Sequence, residues 1–204
     1  MRMRAAAAIA AIVSFHAASA LAASPPMTED ERERLVQMLE ESKAGVLRSV
    51  KGLSEAQWQY KPSDDRWSIA ECAEHIAAAE DFILGLMGEF MGAHSPAEEL
   101  VEDVRRDEMI TSVITDRSQK FQAPDPLQPT NRYGNPSESL EDFARSRART
   151  IALVRETDDL RAYVGKHPAF GDLDALGWIL FLSGHSERHT AQIEEVKTSP
   201  GYPG

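Results

Sequence analysis

Three histidines carry the chemistry this chain could do: His75, His185 and His189. The last two stand four residues apart in the run Ser183-Gly184-His185-Ser186-Glu187-Arg188-His189-Thr190-Ala191-Gln192-Ile193. Both flanks of that run read as helix, so the two imidazoles project from one face, about one turn apart. His75 comes from another helical segment, within Glu71-Cys72-Ala73-Glu74-His75-Ile76. A pair at helical spacing plus a remote third builds a three-nitrogen metal site with a position left for water. Taken singly, the signals are weak. His-x-x-x-His recurs by chance in helices, and a lone histidine on an apolar face is commonly a satisfied core residue.

The elements that must position these residues read as helices. Thr28 with Glu31 forms a capping box, and Leu35, Leu39, Val46, Leu47 and Val50 supply the inward positions of the helix it opens. Gly52 and Lys61-Pro62-Ser63-Asp64-Asp65 end this element, with a short turn at Ser54 to Trp58. Ser68 with Glu71 is a second capping box, opening a helix to about Met91 whose stripe is Cys72, His75, Ile76, Ala79, Phe82, Ile83 and Leu86. A third helical piece is expected from Pro96 to about Asp116. The proline-rich stretch 122–129 then reads as an exposed crossover loop. Asn135-Pro136-Ser137-Glu138 has the form of an N-cap, a proline at the first helical position and an acid in the first turn. It is followed by Leu140, Phe143, Ala144, Ile151 and Val154. The last helix is expected from about Leu173 to Lys197, with Trp178, Phe181, Leu182, His185, His189, Gln192, Ile193 and Val196 on one stripe. The histidine pair thus interrupts a stripe that is apolar before and after it, and buried imidazoles are costly unless each has a partner. No strand-length alternation is evident. The expected fold is all-α, a four-helix bundle with an irregular crossover loop.

Residues 1–23 have the layout of a secretory signal peptide. Arg2 and Arg4 precede an Ala-rich apolar run, and small residues around Ala20-Leu21-Ala22-Ala23 suit cleavage after Ala22 or Ala23. The expectation is an exported, periplasmic protein with no stable membrane insertion once the signal is removed; an uncleaved anchor or a mis-assigned start codon is the competing reading. What remains is about 180 residues, the size of one domain. Without Arg2 and Arg4, 20 of the 22 Lys and Arg face 33 Asp and Glu, so the formal charge moves from −11 to −13. That acidity, with no basic stripe, disfavours binding to nucleic acid or anionic lipid. Cys72 is the one cysteine, which rules out an intrachain disulfide even in an oxidising compartment.

Three passages together resemble the DinB-like (YfiT-like) superfamily: Trp67-Ser68-Ile69-Ala70-Glu71 leading to His75, then His167-Pro168-Ala169-Phe170-Gly171-Asp172-Leu173, then Trp178 through Ile193. The resemblance spans roughly residues 28 to 197, within a domain expected at 28–198. It implies an up-down four-helix bundle whose histidine triad, here His75, His185 and His189, holds a divalent metal. Zinc or nickel is implied, with iron also suited to imidazole ligands. It further implies chemistry on an unidentified small-molecule substrate, in which the metal activates water or a thiol for hydrolysis or thiol transfer, and a tendency to homodimerise. An exported chain fits thiol transfer less well, because low-molecular-weight thiols are kept mainly in the cytoplasm.

Other residues have weaker claims. Glu71, one turn before His75, is a candidate general base, or only the second half of its capping box. Cys72 is a candidate fourth ligand or a small core residue. Gln192 is placed to orient a ligand, and Arg188 to bind an anion or pair with a surface acid. Trp67 and Trp178 read as core anchors and His167 as a loop residue. The alternative to an enzyme is a non-catalytic bundle that binds metal or a small ligand.

Overall fold

A computed structural model of the chain describes residues 27–93, 104–133 and 135–204. The expected signal peptide at 1–23, and the part of the third helical piece before residue 104, lie outside the described residues. Ten elements follow in order: α1 (Glu29–Ser49), α2 (Glu55–Gln59), α3 (Ile69–Gly92), α4 (Val104–Thr115), a 3-10 turn (Asp125–Leu127), α5 (Pro136–Glu156), a second 3-10 turn (Leu160–Ala162), β1 (Val164–His167), β2 (Gly171–Asp174) and α6 (Ala175–Lys197). The capping boxes at Thr28/Glu31 and Ser68/Glu71 are both formed, and the Asn135 side chain accepts the Glu138 N–H. A third box, Ser54/Gln57, opens the short α2.

The four long helices make the bundle. Helix α1 packs chiefly against α5 and α6, and α3 packs against the same two, so α1 and α3 lie diagonally across the bundle. Helix α4 lies outside that ring along α6. It comes very close at Gly184, where a Cβ would stand 2.4 Å from the Ile114 side chain. The larger apolar core includes Leu35, Leu39, Ile83, Met87, Leu176 and Leu182, and a smaller one includes Val46, Ile69, Cys72, Ile76, Phe143 and Ile193. Three expected core positions fall outside them, Leu47, Phe82 and the half-buried Ala144. Leu47 and Phe82 are exposed, because each sits about 100° around its helix from a neighbour, Val46 or Ile83, that already faces inward.

A two-stranded antiparallel hairpin, pairing Val164 with Asp174 and His167 with Gly171, is absent from the sequence expectation, as are the two 3-10 turns. Each strand has four residues, too few to display a period of two. The hairpin delays the last helix by two residues. Asp174 caps it, its Oδ1 accepting the Gly177 N–H at 2.7 Å.

The least expected feature is a fully buried guanidinium. Arg147 on α5 donates to both carboxylate oxygens of Glu80 on α3, at 2.7 and 2.8 Å. It also donates to the Leu39 carbonyl (2.8 Å) and Ser42 Oγ (2.7 Å) on α1, and to Ser186 Oγ (2.8 Å) on α6. Thr150 adds a hydroxyl to Glu80 at 2.9 Å. One side chain therefore ties all four long helices together. Truncating Arg147 to Ala leaves the Glu80 charge buried and unpaired, which costs about 3–5 kcal/mol. Urea unfolding should show that loss, and the double variant Arg147→Met/Glu80→Leu should recover part of it.

Candidate metal centre

Helix α3 delivers His75 and α6 delivers His185 and His189 to one point. The ligand-capable nitrogens of the three lie within 4.8 Å of one another, the one such cluster of His, Cys, Asp or Glu among the described residues. His75 Nε2 is 3.1 Å from His185 Nε2. Two imidazole nitrogens bound to one ion at roughly 2.0–2.1 Å, at tetrahedral or octahedral angles, stand about 3–3.4 Å apart, so the observed pair matches coordination spacing. His75 and His189 are buried, and His185 keeps partial exposure.

The outer nitrogens of two rings are already committed. His75 Nδ1 lies 2.8 Å from the Leu127 carbonyl, which can only accept, so Nδ1 carries the proton and Nε2 presents a lone pair inward. His189 Nδ1 likewise donates to Gln192 Oε1 at 2.9 Å. The amide orientation of Gln192 follows from Arg117, whose Nη1 donates to the same oxygen at 3.4 Å. Arg117 is itself held by both oxygens of Glu195, at 3.0 and 2.8 Å. Carbonyls behind the ligands raise imidazole basicity and fix the ring planes.

Burial pushes all three histidines below the ordinary imidazole range, His185 and His189 far below it; His75 further disfavours charge on both of the others, and His189 on His185. The rings are therefore neutral, the form that binds metal. With Nδ1 of His75 protonated, His185 Nε2–H is the donor to His75 Nε2, and a bound ion would take the place of that proton. The walls are aromatic. Trp67 stacks on His189 with centroids 6.0 Å apart and lies 4.8 Å from His75, while Phe181 stacks on His185 at 5.8 Å.

The remaining candidates have defined places. Glu71 stands outside the cluster: one carboxylate oxygen accepts the Ser68 N–H at 2.7 Å and the other meets Lys61 Nζ at 2.9 Å. Cys72 is buried in the smaller core, and burial raises its thiol to about 12. Arg188 is engaged with backbone carbonyls and not with a surface acid. It is buried, and its guanidinium donates to the Ile114, Asp116 and Gln119 carbonyls, closing the C-terminal end of α4. Trp178 is the core anchor expected, whereas Trp67 is half-buried and serves both core and site. His167 is not a loop residue. It ends β1, packs against Phe170, Trp178 and Phe181, and its Nδ1 accepts the Ala169 and Phe170 N–H groups at 3.1 and 3.3 Å. The proline-rich crossover likewise is more than an exposed connection, because Leu127 is buried in the larger core and its carbonyl reaches His75. A backbone acceptor leaves no trace in side-chain pattern, so no sequence signal could have found it.

A four-helix bundle with three converging imidazoles defines a class, and comparison with known proteins agrees. The family model of the DinB superfamily matches residues 38–193, and the chain belongs to that superfamily. It is 29% identical over 163 residues to the uncharacterized protein YuaE of Bacillus subtilis strain 168, covering 77% of this chain and 93% of YuaE. Its fold resembles that of YfiT from Bacillus subtilis, described as a probable metal-dependent hydrolase with an unusual four-helix bundle topology. The TM-score is 0.59 at 19% identity, over 87% of this chain and 91% of YfiT. TT2238, a four-helix bundle protein, superposes with a TM-score of 0.50 at 19% identity, over 80% of this chain and 98% of its own.

Two outcomes follow from these environments. Cys72 should resist iodoacetamide at pH 8 in the native protein and react once urea unfolds it, as read by intact mass. Burial lowers His167 from 6.5 to about 4. The unfolded chain then takes up that proton first as pH falls, so this contribution to stability is whole above pH 6.5 and is lost progressively down to about pH 4. Replacing His167 with Asn should flatten the plot of unfolding free energy against pH across that window, by up to about 1.4 kcal/mol per pH unit.

Proposed function

We propose that this chain is a metal-dependent enzyme of the hydrolase or thiol-transferase type, with His75, His185 and His189 holding one divalent ion. The observation that carries this reading is the pair of outer hydrogen bonds, His75 to Leu127 and His189 to Gln192, which leave Nε2 of each ring free to face His185. A divalent ion with three neutral nitrogen ligands and an open position supplies a deprotonated nucleophile from water or a thiol near neutral pH. Trp67 packs on His75 and His189 and Phe181 on His185, which would shield a bound ion from water. The partial exposure of His185 would give a substrate access to it. Imidazole ligands suit zinc, nickel and iron alike, and the preference for zinc or nickel rests on the family resemblance. We further propose that the protein is exported. The reading rests on residues 1–23, and the intact mass of chain recovered from a bacterial periplasm should begin at Ala23 or Ser24.

One observation favours a non-catalytic metal-holding role. A surface cavity of about 430 Å³ is lined by Ala77, Phe82, Arg132, Tyr133 and the outer side of Leu127, and by none of the triad.

Full-length protein purified without chelator or nickel resin should contain close to one equivalent of a transition metal by elemental analysis. His75→Ala and His189→Ala should lose it while keeping parental helicity. Metal-dependent turnover of ester, amide or thiol-acceptor substrates that disappears in both variants supports the enzyme. Stoichiometric metal with no turnover supports the holding role, and absence of metal from the parent overturns both.

A further inference from the structure

Beside the triad, the crossover loop carries contacts that metal coordination itself does not require. Glu74, the residue before His75, is 5% exposed although charged. Its Oε1 accepts the Thr130 N–H at 2.6 Å and Arg132 Nε at 3.0 Å. Arg132 Nη2 donates in turn to the Pro126 carbonyl at 3.3 Å and the Gln128 carbonyl at 3.1 Å. These two carbonyls flank that of Leu127, which takes the His75 Nδ1 proton. The loop is further closed by Leu127 N–H to Pro124 O (2.8 Å) and the Gln128 side-chain amide to Ala123 O (2.6 Å).

We propose that Arg132, anchored by Glu74, is a positioning residue for His75: it clamps both neighbours of Leu127 and thereby aims the one carbonyl that sets the tautomer and ring plane of the ligand. Peptide planes on either side of Leu127 are held, so the middle carbonyl has little freedom to turn away. The anchor is on α3 itself, one residue from the ligand, so loop and ligand move as a unit. Arginine is required because the task needs a planar fork that reaches a carboxylate and two carbonyls together; a lysine ammonium offers a single point of attachment. Without the clamp, His75 retains its place on the helix but exchanges between tautomers, and only one of them presents Nε2 to the ion.

This inference rests on the metal reading, so its test uses one measurement that needs the ion and one that does not. In the full-length protein, Arg132→Ala and Arg132→Lys are compared with Arg149→Ala, which removes an exposed arginine of the neighbouring helix face. Zinc affinity is measured by chelator competition. The His75 imidazole is followed by long-range 15N NMR in metal-free protein, its signals assigned by their loss in His75→Ala. Arg132→Ala should weaken zinc binding about 10- to 100-fold and replace the Nδ1–H pattern of His75 with a tautomer mixture. Arg132→Lys should fall between it and the parent, and Arg149→Ala should match the parent. Folded Arg132 variants that bind zinc within about twofold of the parent and retain the His75 Nδ1–H overturn the proposal. If Arg132→Ala does not fold, the lysine variant decides. If the parent itself binds no zinc, the metal reading fails, and the imidazole spectrum alone decides the clamp.

Discussion

The bundle is organised around a charge that cannot be left alone. Arg147 has no exposed surface, and an ion so placed must find every one of its hydrogen bonds inside the protein. Its partners come from α1, α3 and α6, and its own helix is α5, so satisfying the guanidinium sets the mutual register of all four. The α6 partner is Ser186, adjacent to His185, and the α3 partner is Glu80, little more than one turn from His75. The polar knot that holds the helices therefore sits beside the histidines they must bring together. Apolar contacts tolerate small slides along a helix axis. A bidentate ion pair with three further bonds does not, and this rigidity suits a site whose nitrogens must meet within a few tenths of an ångström.

The site follows the same logic with a different solution. The three imidazoles lie in an aromatic and aliphatic surround, and the protein satisfies the outer nitrogens of His75 and His189 with a backbone carbonyl and a side-chain amide. Burial then keeps the rings neutral, and the inward lone pairs are left for an electrophile. Nearby cations are each tied elsewhere. Arg117 is held by Glu195, Arg132 by Glu74, and Arg188 by three carbonyls at the end of α4. The result is a donor set suited to a divalent ion, whose coordination would take up the inward lone pairs.

Polar residues that break an apolar stripe are the informative ones, and they are unevenly legible in the sequence. His185 and His189 drew attention because their stripe on α6 is apolar on both sides and because imidazole has a known use. Arg147 occupies the same kind of position, four residues after Phe143 and four before Ile151, and Glu80 stands four after Ile76 and three before Ile83. The run Ala144-Arg145-Ser146-Arg147-Ala148-Arg149 disguised it, since two of its three arginines are solvated. The stripe test applied to charges as well as histidines would have found the buried pair. It would not have found the hairpin, whose strands are too short for a period, nor the inward turn at Leu127, where the prolines that forbid helix also allow a compact 3-10 turn.

Local physics determined much of this protein before any tertiary contact formed. Capping boxes depend on residues three apart, and the apolar period depends on 3.6 residues per turn, so helix starts, helix faces and the inward placement of His75, His185 and His189 are written in the chain. Membership of the DinB superfamily is written there too, in the order and spacing of its short motifs. Tertiary structure decided what depends on distant partners. It placed α1 and α3 on a diagonal, turned Arg147 inward to meet Glu80, brought Lys61 to the Glu71 carboxylate, and set Leu127 rather than any side chain behind His75. Those outcomes join residues ten or more positions apart, and the last runs through a carbonyl, which has no residue type by which a sequence could announce its role.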